Sequence, residues 1–381
     1  MPRFISITYF LTLILLVIYS YTQVDLNLTL SGNFYYQNLQ QILTQIGYFN
    51  RPLSTFIYLV LLFSLFIHYL LFLKAIRRNL IKKSYLIKLI AFSTAILFLA
   101  YPAFSHDIFN YIFDARIVGL YGLNPYEYKA LDFPNDQWVR FMHWTHRTYP
   151  YGPFWVVLTL PFYFLGFGKF VLTLLSFKLL FVISYLGSTF LIFKIMTIIK
   201  KNQALLSLGW FALNPLILIE SLVSPHNEIT MLTLTLASIY LLMRKKVIRS
   251  FFLMLLAGGI KFISWIYIPI IYFINKDQKN IEKYLKILLF LTALLLAPVV
   301  YLRELYPWYI IPILGLGSFL LSSKILNALL IGFSFGSMLQ YIPYLYTGEY
   351  SQNLRLLQYE LLIIGTLIAL IFAAKIVSNA K

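Results

Sequence analysis

The sequence predicts an all-helical integral membrane protein, a polytopic bundle of about twelve transmembrane helices, and three observations carry that prediction. Of 381 residues, 60% are hydrophobic and only 12% are charged, far more apolar than a water-soluble core requires. Apolar runs near the length needed to cross about 30 Å of hydrocarbon recur along almost the whole chain, broken by short charge clusters and by Pro or Gly. The runs lack the period-2 alternation of a membrane barrel, and backbone polar groups in lipid must be satisfied within the segment, which leaves helices.

In chain order the spans fall at 4–22, 53–73, 86–104, 170–196, 204–219, 229–243, 248–260, 262–275, 286–302, 308–323, 325–341 and 358–375. The first has one basic residue before it and no small-residue cleavage site after it, so it reads as an uncleaved span that starts inside. With both termini inside, the cytoplasmic segments collect the clusters Lys74 to Lys88, Lys194 to Lys201, Arg244 to Arg249 and Lys276 to Lys286, together with Arg3, Lys324, Lys375 and Lys381. These hold roughly two-thirds of all Lys and Arg, while only Asp277 and Glu282 of the acids join them; that sorting is the positive-inside rule. The net charge of +18 therefore reports orientation in a bilayer and not a nucleic-acid footprint. Residues 154–165 are too short to cross and read as a re-entrant or interfacial helix. The split of 248–275 at Gly258, Gly259 and Lys261 is a broken helix, a feature tolerated at membrane depth only around a cavity. The absence of cysteine excludes disulfides, thiolate metal sites and cysteine nucleophiles.

One loop differs from the rest. Residues 105–152, outside in this topology, carry Asp107, Asp114, Glu127, Asp132 and Asp136 with Arg116, Arg140, Arg147 and three of the five histidines. Ile108, Tyr111, Ile112 and Ala115 share one helical face, which predicts an amphipathic helix lying on the bilayer. The plain reading of its acids is a solvated helix whose carboxylates cap it and pair with Arg116.

The string Ser105-His106-Asp107-Ile108-Phe109-Asn110-Tyr111, followed by Gly122-Leu123-Asn124-Pro125-Tyr126 and Tyr149-Pro150-Tyr151-Gly152-Pro153, resembles the loop of the actinobacterial polyprenyl-phosphomannose-dependent alpha-1,6-mannosyltransferases. Asn214-Pro215-Leu216, running through Glu220 to His226-Asn227-Glu228, is similar to their second signature. All belong to the glycosyltransferase C superfamily. The likeness covers most of the chain from Ser105 to Tyr309, with Glu228 standing where the family usually has Asp. It implies one transmembrane glycosyltransferase domain over 1–381, with 105–152 its extracytoplasmic catalytic loop and Asp107 in the position of the base. It also implies a polyprenyl-phosphate sugar donor, a glycan or glycolipid acceptor, and a place in the cytoplasmic membrane.

Such an enzyme has to deprotonate an acceptor hydroxyl and stabilise charge on the departing phosphate. A carboxylate suits the first task and fixed cations the second. Lys261 after the Gly-Gly break, Arg303 before Glu304, and Lys178 inside the fourth span are the candidates for donor phosphate, because an intramembrane cation is costly unless it is used; snorkelling and a pair with Glu304 are the plain alternatives. Asp114, Tyr126 and Tyr151 in the loop are candidates for sugar or acceptor contacts. So are His226, Asn227 and Glu228 in the turn, where helix capping is the alternative, and Glu304 and Trp308, where Trp308 could instead join an interfacial aromatic belt. His143 and His146 have the spacing of a weak metal pair, so the sequence assigns no metal and leaves a divalent ion open. The expected reaction is an inverting single displacement of a hexose, mannose by the resemblance. A flippase or transporter of lipid-linked saccharides shares the twelve-span topology, but would call for internal repeats that the sequence does not show.

Overall fold

The computed structural model describes residues 2–26, 28, 30–302, 304–349 and 354–378. Among these there is no strand, only an isolated bridge between Lys129 and Thr148. The helices are α1 (Pro2–Ser20), α2 (Phe34–Thr44), α3 (Arg51–Arg77), α4 (Lys83–Phe98), α5 (Asp107–Gly119), α6 (Pro153–Phe164), α7 (Phe170–Ile199), α8 (Ala204–Ala212) and α9 (Pro215–Leu218). After these come α10 (Glu228–Met243), α11 (Val247–Gly258), α12 (Ile268–Lys276), α13 (Ile281–Leu302), α14 (Ile311–Gly317), α15 (Lys324–Leu339), α16 (Ile342–Thr347) and α17 (Arg355–Ser378). Each expected span overlaps a helix or two consecutive ones. Five helical stretches are long and apolar enough to cross a membrane, and the bent pair Lys201–Ala212 with Pro215–Val223 makes a sixth. This is a membrane protein built of helices.

Helix α5 departs from expectation. It is enclosed rather than laid on a surface, with Asp107 through Ala115 all buried, because α6 and α7 pack over the faces that the loop alone would leave open. At 12 residues, α6 is about 18 Å long and too short to cross, as its sequence predicts. The polar helix α2 is absent from the sequence reading; it starts where the Asn33 side chain accepts the Tyr35 and Tyr36 amides at 3.0 and 3.2 Å.

Two breaks turn polar residues into the bundle. Pro215 lacks an amide hydrogen, and the Asn214 side chain accepts the Leu216 amide at 2.9 Å and the Ser334 hydroxyl at 2.7 Å. Helix α8 therefore stops and the chain restarts across a 56° bend, widening into a π-turn over Ile219–Val223. The second break follows α11, where Lys261 is extended and the carbonyls of Gly259 and Ile260 accept the amides of Phe154 and Gly152 at 2.9 and 3.0 Å. A Cβ on Gly152 would stand 2.3 Å from the Gly259 carbonyl oxygen, so only glycine lets the loop dock there. Gly332 and Gly336, one turn apart on α15, bring α17 equally close: a Cβ on either would meet the Thr366 or Leu362 carbonyl oxygen within 2.7 or 2.2 Å. Small residues at this spacing are how membrane helices approach one another.

Candidate active site

The loop over 105–152, the start of α10, the break after α11, the segment after α13 and the turn after α15 line a cavity of about 730 Å³, within the size range of small-molecule sites. Asp107 opens α5 at its wall, its amide held by the Ser105 hydroxyl at 3.3 Å. The Tyr151 hydroxyl lies 3.5 Å from Asp107 Oδ2 on the donating side. Burial alone would raise the Asp107 carboxyl, but neighbouring His226, Arg147 and Lys261 outweigh it and hold its pKa below the ordinary value of 3.8. The group is thus ionised and able to accept a proton.

Behind Asp107 lies a chain of polar groups that the π-turn sets up. His226 Nδ1 is 3.5 Å from Asp107 Oδ2, and His226 Nε2 is 3.3 Å from Glu220 Oε2. The other Glu220 oxygen accepts the Tyr341 hydroxyl at 2.8 Å. Burial would lower the His226 imidazole, yet the flanking Asp107 and Glu220 win and raise it to about 9. The His226 ring stacks on Trp308 with centroids 3.9 Å apart, and Trp308 stacks on Tyr306 at 4.4 Å.

Cations line the same cavity. Lys261 pairs with Glu228 and lies 5.2 Å from the Tyr309 ring centroid. Arg147 lines the cavity, packed over Trp144 at 4.6 Å, with its Nε buried and without a hydrogen-bond partner among the described residues. Glu304 accepts the Tyr306 hydroxyl at 2.6 Å and sits 4.0 Å from Arg355, which also lines the cavity.

The structure therefore gathers Asp107, Tyr151, Glu228, Lys261, Glu304 and Trp308 around one cavity. His226 and Asn227 are fully buried and lie outside its lining, behind it. Three further expected residues lie outside its lining. Lys178 does not reach the cavity; its ammonium is bound by the carbonyls of Leu97, in the last turn of α4, and of Ala100, just after that helix. Tyr126 is spent on the Tyr151 carbonyl at 2.7 Å. Asp114 is buried away from the lining, and it does not pair with Arg116, which takes Asp136 at 2.5 Å instead. Burial pushes the Asp114 carboxyl up to about 8, against the lowering effect of Arg147. Arg303 lies outside the described residues. His143 stacks on His106 at 3.9 Å and faces Asp25 at 3.6 Å, and among the described residues no three His, Asp or Glu side chains converge as metal ligands. Sequence reasoning missed Arg147, Tyr341 and Arg355; only Arg147, a cation just ahead of Tyr149-Pro150-Tyr151 in the acid-rich loop, carried a local signal.

No curated protein and no solved structure matches the chain. A family model described as alpha-(1->6)-mannopyranosyltransferase, N-terminal domain, matches residues 13–276, which include Asp107, the Asn214-Pro215 break, the His226 turn and Lys261. The motif resemblance is thereby borne out over more than half of the sequence, and the chain belongs to the alpha-(1->6)-mannopyranosyltransferase family.

Proposed function

We propose that this membrane mannosyltransferase takes mannose from a polyprenyl-phosphate donor and passes it to a hydroxyl of a glycan or glycolipid on the extracytoplasmic side, in a twelve-span bundle of the glycosyltransferase C type. The observation that carries the reading is the ionised Asp107 carboxylate at the wall of a cavity that also holds Lys261 and Arg147. In the proposed step the acceptor oxygen attacks the anomeric carbon from the face opposite the phosphate. The bond from that carbon to the phosphate oxygen breaks, polyprenyl phosphate leaves, and the acceptor proton passes to Asp107. A single displacement inverts the anomeric centre, so a β-linked donor gives an α-linked product. Lys261 and Arg147 would face the charge that builds on the leaving phosphate, a role in which fixed cations act more strongly than in water. The face of Tyr306 turned away from Trp308 offers an apolar surface to a sugar ring.

Purified protein incubated with labelled polyprenyl-phosphate mannose and a membrane glycolipid extract should yield labelled glycolipid with α-linked mannose. Transfer from a nucleotide sugar alone, or none from the lipid donor, would defeat the proposal. Orientation has its own test, since the chain has no cysteine. An impermeant thiol reagent applied to intact cells should label Asn135→Cys, on the exposed loop, and leave Lys246→Cys untouched; the reverse pattern would turn the site to the other side.

A further inference from the structure

We propose that His226 and Glu220 are positioning residues for Asp107: an imidazolium clamped between two carboxylates fixes both the direction and the ionisation of the proton acceptor. The inference rests on the reading of Asp107 as the base. His226 has no exposed surface, so it cannot be the sugar ligand that its motif position suggests. Its two ring nitrogens face carboxylate oxygens at 3.5 and 3.3 Å, as ion-pair contacts, and neither makes a hydrogen bond of ordinary geometry among the described residues. A neutral imidazole carries one N–H and would turn a lone pair toward one of the two acids; against two ionised carboxylates only the doubly protonated ring serves both. Stacking on Trp308, with an angle of 12° between the planes, keeps the ring from turning away.

The charged and titratable groups around the clamp come from every neighbouring element. Asp107 comes from α5, Glu220 from the π-turn, Glu228 from the start of α10 and Tyr341 from the turn after α15, with Arg147 and Tyr151 from the loop and Lys261 from the break. Glu228 is taken by Lys261 and the Glu220 far oxygen by Tyr341, which leaves the near Glu220 oxygen to hold the second His226 proton. Remove the Glu220 charge, and the imidazole loses the reason to keep that proton. Asp107 then loses its nearest cation and ionises only at higher pH.

The test uses full-length purified protein. Glu220→Gln keeps size and the Tyr341 hydrogen bond but removes the charge; kcat should fall about 10- to 100-fold, donor KM should hold, and the acid limb of the kcat profile should move up by about one pH unit. His226→Gln should reproduce the same shift, and it serves as the readout if Glu220→Gln does not accumulate. A purely structural role would lower the yield of folded enzyme without moving the limb. Normal kcat with an unmoved limb, or a lowered kcat with an unmoved limb, overturns the inference while leaving Asp107 in place if Asp107→Asn is inactive. An active Asp107→Asn overturns the base reading and the clamp together.

Discussion

The basic loops joining α3 to α4 and α10 to α11, and the cluster around Asp107, are both rich in charge and treat it in opposite ways. Lys74, Arg78, Lys82, Lys83, Arg244, Lys245 and Lys246 are exposed, and none of them takes part in an ion pair among the described residues. Every ion pair found among the described residues has a member in the 105–152 segment, in the turn before α10, in the break after α11 or in the segment after α13. There Asp107, Glu220, His226 and Glu228 are buried, where an unpaired charge would be costly. Charges that only orient a protein in a bilayer need number and side; charges that do chemistry need partners and geometry. The first kind should tolerate substitution and the second should not.

The largest effect is expected at Asp107. Asp107→Asn keeps size and hydrogen-bonding capacity but cannot take the proton, so labelled mannose transfer should fall by about 100- to 10,000-fold with folding and donor binding preserved. A variant near the wild-type rate, beside an inactive Asp114→Asn, would transfer the base to Asp114. Lys261→Ala comes next. It removes the cation proposed to face the leaving phosphate and strands Glu228, and kcat/KM should drop by an amount equivalent to about 2–5 kcal/mol; an unchanged kcat/KM would remove Lys261 from the site.

Asp114→Asn should leave most activity and change stability instead. The Asp114 carboxyl is raised from 3.8 to about 8 in the folded protein. Below pH 3.8 both states hold the proton and the group is neutral in its effect; between 3.8 and about 8 the unfolded chain ionises while the folded one does not, so stability falls as pH rises, then levels off. Thermal melts of the detergent-solubilised variant from pH 4 to 9 should show a flatter decline than wild type, and an identical decline would contradict the burial argument. Smallest of all, Lys246→Gln on the exposed loop should change stability by less than about 0.5 kcal/mol and leave the transfer rate unaltered, which a melt and a rate assay would check.

The helices were legible because hydropathy is a local property, and the break at Gly258 and Gly259 was legible because glycine next to an intramembrane lysine has few other uses. The burial of α5 was not, since its apolar face at Ile108, Tyr111, Ile112 and Ala115 reads the same whether the opposite side meets water or another helix. Lys178 misled for a related reason. A lysine within a span can reach a ligand cavity or the carbonyls at a helix end, and the structure chooses the carbonyls of Leu97 and Ala100. Asp107 stood out through its motif, whereas Tyr341 as the partner of Glu220 depends on a contact across 121 positions, which no periodicity announces.

The matched family segment stops at residue 276, where α12 ends, yet the contacts around the site ignore that point. Ser334 steadies Asn214 and Tyr341 holds Glu220, each from beyond it. A chimera that joins the front of this chain to the back of a relative there would part both couples at once. These residues form one structural unit, and a graft has to carry Ser334 and Tyr341 with the turn they support.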